Sequence, residues 1–364
     1  MANKIFVSIA SYRDLDCSKT LQSLFSNASH PLNIFVGICQ QNAESDPDCL
    51  LNIEPQYLAN VRISRIPDIH AKGPTYARYI CSSLWNNEQY YFQIDSHLLF
   101  VKGWDKKLIS MINRLKQDGV LKPVISHYPR HITDYHNYDS QSSNRFNVST
   151  ICKSAFNDDS IIFFNDSQLI NTNGELHENA YMAAGLFFCE SSFLTDVPFD
   201  PDLDYLFFGE EILLTVRFWT NGWRIFTPSE NIAFHDYHRE KRPTFWANQR
   251  YSNKKALDKV REIINVTSSN QSYGKYGLGN KKTLQEYYDF AGIDLLNKTS
   301  SKSFCNSSSS SSSTSDNNHN NNNNPLSAKR IIITLIFILA IVVLIFLIIY
   351  VLFNHKNLKI EVKN

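Results

Sequence analysis

Residues 90–105 read YYFQIDSHLLFVKGWD, and this stretch decides how the rest of the chain is organised. Tyr90 to Ile94 is an apolar run of strand length that delivers Asp95 and His97, with the small Ser96 between them. In extended backbone, residues i and i+2 project to the same side, so a carboxylate and an imidazole can share one cation. That donor pair suits manganese or a similar divalent metal, which can bridge diphosphate oxygens and stabilise a departing nucleotide. An isolated pair of this kind could equally cap a strand end through turn hydrogen bonds. Its surroundings therefore have to be read with it.

Working outward, residues 4–10 (KIFVSIA) form a buried strand ending at Ser11-Tyr12-Arg13-Asp14, and residues 17–28 carry apolar side chains at helical spacing. Residues 32–39 (LNIFVGIC) and 61–66 read as the second and third strands, and residues 76–85 as a helix opened by Gly73-Pro74. After the strand at 90–94, residues 104–117 are again helical and 123–127 form another strand. Strands alternating with helices predict a mostly parallel sheet covered on both faces. Right-handed crossovers place the loops after the strands along one edge, where open α/β sheets bind ligands. Ser11–Asp14 and Asp95–His97 both fall on that edge.

Composition narrows the function classes. The 364 residues carry a formal net charge of +1, and no basic run interleaved with aromatics occurs, so a nucleic-acid partner is not expected. Seven scattered cysteines (17, 39, 49, 81, 152, 189 and 305) include no CxxC pair, which predicts buried, reduced thiols rather than a disulfide framework or zinc ribbon. His127, His131 and His136 in SHYPRHITDYH fit no closed tetrahedral spacing, and Pro129 breaks any helix that would align them. That segment reads as an acceptor-binding loop over the site. Trp219 and Trp223 read as core. Residues 251–296 read either as a helical tail of the domain or as an acceptor lobe.

The DSH at a strand end resembles the metal motif of the polypeptide GalNAc-transferases. The ordered blocks IFVSIASYRD, GPTYARY, AAGLFFCESSF and FFGEEILLTVRFWTNGWRIFTPSENIAFHDYH resemble more closely a family of GlcNAc-transferases. The founding enzyme of that family is cytoplasmic and modifies a hydroxyproline of a ubiquitin-ligase adaptor. The likeness covers residues 4–250. It implies one GT-A-type α/β nucleotide-diphospho-sugar transferase fold, UDP-GlcNAc as donor, a divalent cation such as Mn2+, a protein hydroxyl as acceptor and retention of configuration. It also implies residue roles: Asp95, His97 and His235 as metal ligands, with His238 a weaker substitute for His235. Arg13 and Asp14 would touch uridine or phosphate. Arg78, near a helix start, would meet a phosphate. Glu210 or Glu211 would meet the sugar or acceptor, and Gly185 would let backbone approach the sugar. Family members often carry two glycines where this chain has Ala184-Gly185, which leaves UDP-GalNAc or UDP-glucose as alternative donors. A non-catalytic sugar-nucleotide-binding relative is the rival from another class.

Residues 1–297 read as the catalytic domain and 298–330, rich in Ser and Asn, as a linker unable to offset its own ordering entropy. Residues 331–353 contain no charge and are long enough, at ~1.5 Å per helical residue, to span ~30 Å of hydrocarbon. A single C-terminal membrane anchor with a short tail at 354–364 is expected. Lys329 and Arg330 before the span nearly balance Lys356, Lys359 and Lys363 after it. The short apolar run at 5–10 is too brief for a signal peptide. Post-translational insertion with the catalytic domain on the cytosolic rather than the lumenal side is the favoured reading. Asn-x-Ser/Thr triplets at Asn27, Asn147, Asn165 and Asn265 are of the kind an Asn- and Ser-rich chain produces by chance.

Overall fold

The computed structural model describes residues 3–238, 243–248, 252–269 and 271–305. They fall in the first of two units into which the chain divides, Met1–Ser307 and Ser308–Asn364. The apolar stretch 331–353 and nearly all of the expected linker lie outside the described residues. Among those described, no helix is long and apolar enough to cross a membrane.

An eight-stranded sheet organises the domain. In chain order its first strands are β1 (Ile5–Tyr12), β2 (Ile34–Asn42), β3 (Val61–Pro67) and β4 (Tyr90–Asp95). β5 (Leu98–Phe100) follows outside the sheet, then β6 (Pro123–Ser126) within it and β7 (Arg130–His131) outside. β8 (Asn147–Phe156) and β9 (Ile162–Asn171) make a separate antiparallel hairpin. β10 (His177–Asn179), β11 (Leu186–Glu190) and β12 (Arg224–Thr227) complete the large sheet, and β13 (Ala233–His235) joins β5 and β7 in a small one. The large sheet runs β10-β12-β6-β11-β4-β1-β2-β3.

The half from β4 to β3 is parallel, as alternation predicted. Beyond β4, β12 still runs parallel to β6, so the sheet is mostly parallel as expected, with two reversed strands. β11 lies antiparallel to both β4 and β6, and β10 antiparallel to β12. The physical reason for the reversal going unread is that β11 is apolar from Leu186 to Cys189 and packed on both faces, so its composition matches that of a parallel strand although its direction is reversed.

Both faces of the sheet are covered. Helices Cys17–Ser26 and Trp104–Gln117 pack through Leu21, Leu24, Trp104, Leu108 and Ile112 onto the β1–β4 face. Phe187, Phe193, Phe218 and Trp223 fill the opposite side, and Trp219 stacks on Phe290. A third core lies under the hairpin, where helices Lys254–Ile263 and Leu284–Ala291 bury Leu257, Val260, Tyr287 and Tyr288 against Leu213 and Val216 of helix Glu210–Thr220. Residues 251–296 thus contribute two helices to the domain's own core. Each large apolar side chain so buried contributes about 1.5–3 kcal/mol.

The cysteine expectation is overturned. Cys17 is disulfide-bonded to Cys49, and Cys152 to Cys305, leaving Cys39, Cys81 and Cys189 as buried thiols. The partners are 32 and 153 residues apart, so no local spacing could announce them. Phe304 also donates its amide to the Cys152 carbonyl, and Thr299–Ser300 pairs with Ile293–Asp294. Packed structure therefore continues past residue 297, where the linker was expected to begin.

Candidate metal and donor site

β4 ends at Asp95, whose amide bonds to the Gly185 carbonyl, and β5 begins just beyond His97. β13 pairs with β5 so that His235 lies opposite Leu98, which brings a residue 140 positions away to the same spot. One ligand atom from each of Asp95, His97 and His235 lies within 4.8 Å of the others. His235 Nε2 is 3.2 Å from Asp95 Oδ2, and the two imidazoles meet edge to face at 4.5 Å. Two imidazoles and a carboxylate form a donor set that fits a divalent transition cation.

The surroundings orient these groups. Asp14 Oδ2 lies 2.6 Å from His97 Nδ1 and accepts from the Ser96 hydroxyl at 2.6 Å. A proton on Nδ1 leaves His97 Nε2 available to a cation, the usual arrangement behind a ligating histidine. Burial would raise the Asp14 pKa, but the His97 contact and the Ser96 hydroxyl hold it below its ordinary value. Arg78 is buried and donates to Asp95 Oδ1 at 3.0 Å and to Glu210. For Asp95, too, burial is outweighed by His235 and Arg78, which hold the carboxyl well below the usual carboxylate range.

A cavity of about 430 Å3 opens on this cluster, lined by Asp95, His97, His235, Arg78, Glu210 and Glu211 among others. Gly209, at φ +106°, starts the helix that presents the two glutamates. Glu210 is taken up by Arg78. Glu211 accepts from the Tyr128 hydroxyl at 2.5 Å and from the Ala184 amide at 3.0 Å. Burial raises its pKa to about 7, against the lowering effect of those two donors.

Several expected roles move. Arg13 is not part of the cavity lining and is ion-paired with Asp46 at 2.7 Å and Asp68 at 3.4 Å. Asp14 lines the cavity but commits its carboxylate to Ser96 and His97 rather than to a nucleotide. Arg78 likewise holds two carboxylates instead of an open phosphate position. Gly185 lines the cavity, and its missing side chain is needed by Asp95: a Cβ there would lie 2.5 Å from Asp95 Oδ2.

The histidine-rich segment also resolves. His127 is buried with Nδ1 on the Ser149 carbonyl, and burial lowers its pKa to about 4. Only Tyr128 and Pro129 of residues 127–137 line the cavity. Tyr128, Tyr237 and the rim aromatics Phe207, Phe208 and Trp246 went unnoticed in the sequence. Phe207 and Phe208 are both exposed in spite of their apolarity.

The family model described as Glycosyltransferase (GlcNAc) matches residues 4–59 and 52–297. The chain belongs to this GlcNAc glycosyltransferase family. A search of curated proteins finds no match to this glycosyltransferase. Among solved structures it is similar to GalNAc-T7 with UDP, GalNAc and Mn2+, at 15% identity and a TM-score of 0.50, covering 79% of this chain and 54% of that one. It is also similar to S. aureus TarS 1–349 in complex with UDP-GlcNAc, at 14% identity and a TM-score of 0.44, covering 74% of this chain and 68% of that one. At 15% identity the likeness to GalNAc-T7 concerns the fold alone, which is mixed α/β with a large central sheet.

Proposed function

We propose that this glycosyltransferase moves N-acetylglucosamine from UDP-GlcNAc to a protein hydroxyl, with hydroxyproline the first acceptor to try and retention of configuration the expected outcome. The observation that carries the reading is the convergence of Asp95, His97 and His235 at the cavity, on the carboxyl edge of the parallel strands. A divalent cation such as Mn2+ held there would neutralise charge on the leaving diphosphate. The chain's own residues do the rest. Asp14 keeps the His97 proton on Nδ1, and Arg78 fixes the Asp95 carboxylate while joining it to Glu210. Glu211, with a pKa of about 7, supplies both acceptor and donor forms near neutrality and can hydrogen-bond a sugar hydroxyl. Retention needs no dedicated general base, and none is assigned.

The test is UDP release by the full chain from a panel of UDP-sugars, with and without Mn2+ and with hydroxyproline peptides. Mn2+-dependent release from UDP-GlcNAc is expected. Release from UDP-GalNAc or UDP-glucose alone would replace the donor. Binding of every donor with no turnover on any acceptor would favour the non-catalytic reading.

Residues 331–353 support membrane anchoring of the domain. The Cys17–Cys49 and Cys152–Cys305 bonds favour an oxidising compartment, and so the lumenal or extracellular side, over the cytosolic side that the sequence favoured. Thiol labelling of the membrane-bound protein before and after reduction checks this: four additional reactive cysteines after reduction are expected, and none would restore the cytosolic assignment.

A further inference from the structure

Beside the cavity, and outside its lining, the fold assembles the same donor set a second time. β13 runs parallel to β7 with His235 opposite His131. After β13 the Asp236 amide bonds to the His97 carbonyl, and Asp236 Oδ1 accepts from the His238 amide at 2.9 Å. That tight turn returns His238 to the end of β7. There His131 Nε2 and His238 Nδ1 lie 2.8 Å apart, with the rings perpendicular, and His238 Nδ1 is 3.7 Å from Asp236 Oδ1. Ligand atoms of all three residues fall within 4.8 Å of one another.

We propose that His131, Asp236 and His238 form a second site for a first-row transition cation, separate from the Asp95–His97–His235 cluster. Two ring nitrogens at that distance share one proton. Displacing it frees both lone pairs for a cation beside the Asp236 carboxylate. Ligation through Nε2 places the His131 proton on Nδ1, where the Thr133 hydroxyl at 2.8 Å can accept it in place of the Thr133 amide, which donates to Nδ1 at 3.1 Å in this structure. Imidazole-rich ligation favours Zn2+ or Co2+ over Mg2+ or Ca2+. The site differs from the interior one in access: the His238 side chain is 71% exposed, so water can complete the coordination. Tyr237, between two of the ligands, is anchored by its hydroxyl to the Pro129 carbonyl at 2.8 Å, which holds the turn against the β7 segment. A cation here therefore ties β7 to the turn that follows the strand presenting His235. Its effect is to brace the interior site from outside.

Equilibrium dialysis of the full chain against Zn2+, and separately Co2+, counts the ions. Two per chain are expected, with one lost in His238→Gln and a different one lost in His97→Gln. His131→Gln repeats the first loss from the other strand, and the visible Co2+ spectrum reports which set remains. If only the interior assignment is wrong, the unaltered chain binds one ion, which His238→Gln loses and His97→Gln keeps. A count unchanged by both His238→Gln and His131→Gln, or an unaltered chain whose only ion is lost in His97→Gln, overturns the proposal.

Discussion

Asp95 and Glu211 line the same cavity, yet their environments pull them in opposite directions. Asp95 is met by Arg78 and His235 and stays ionised far below its usual range. Glu211 is met by neutral donors, the Tyr128 hydroxyl and the Ala184 amide, and burial raises its pKa to about 7. Two carboxylates given to one pocket are thus divided into a permanent anion on the cation side and a proton-exchanging group on the other. The difference teaches that partner charge, more than burial, decides which acid can serve a metal.

The most severe way to break this contrast is Asp95→Asn. It removes the anion, leaves Arg78 paired with Glu210 alone and takes one of three candidate ligands. UDP release from UDP-GlcNAc is expected to fall by about 100-fold or more, the scale of losing a principal electrostatic contact in a transition state. Retained turnover within a few-fold of the unaltered chain would show that the cation side lies elsewhere. Gly185→Ala tests the same side more gently, since its Cβ would intrude 2.5 Å from Asp95 Oδ2. Crowding of this kind costs about 1–3 kcal/mol, so activity should drop by roughly 10-fold and Mn2+ should be needed at higher concentration. Unchanged Mn2+ dependence would mean Asp95 is not a ligand.

Asp95 and His97 were legible in the sequence because both are delivered by one strand and need only local geometry. His235 was reachable through its apolar approach, Ile-Ala-Phe, though its meeting with Asp95 depends on the pairing of β13 with β5. The protein partners of Asp14 and Arg78 were hidden for a shared reason. Each was read as facing a ligand, but each spends its charge on residues 83 and 132 positions away. The disulfides were hidden by the same non-locality. Tyr128 gave no signal, since a tyrosine after a short strand is ordinary until Glu211 is found beside it. The parallel half of the sheet followed from alternating elements, whereas the reversal at β11 did not, because an apolar strand does not encode its direction.

Glu211→Gln probes the other side through pH. The folded chain releases this proton near 7 and the unfolded chain near the ordinary value of 4.5. The contribution to stability is therefore complete below pH 4.5 and is lost as pH rises through 7. Because the carboxyl opens onto a cavity, screening reduces the loss to about 1–2 kcal/mol. Denaturant midpoints for the unaltered chain should decline over that interval relative to Glu211→Gln. Parallel curves would mean Glu211 is an ordinary surface acid.

Tyr128→Phe should have the smallest effect and sharpens the contrast most finely. The hydroxyl is one of two hydrogen-bond donors to Glu211 among the described residues, and it acts to lower that pKa. Deleting it leaves the ring packed and removes a hydrogen bond worth about 1–1.5 kcal/mol. The Glu211 pKa should then rise further, shifting the alkaline side of the activity profile upward, while the Mn2+ requirement stays as it was. A change in Mn2+ dependence instead would couple Tyr128 to the cation side and erase the division between the two carboxylates. A shift in pH profile alone would show that the two halves of the cavity are tuned independently, one by charge and the other by neutral hydrogen bonds.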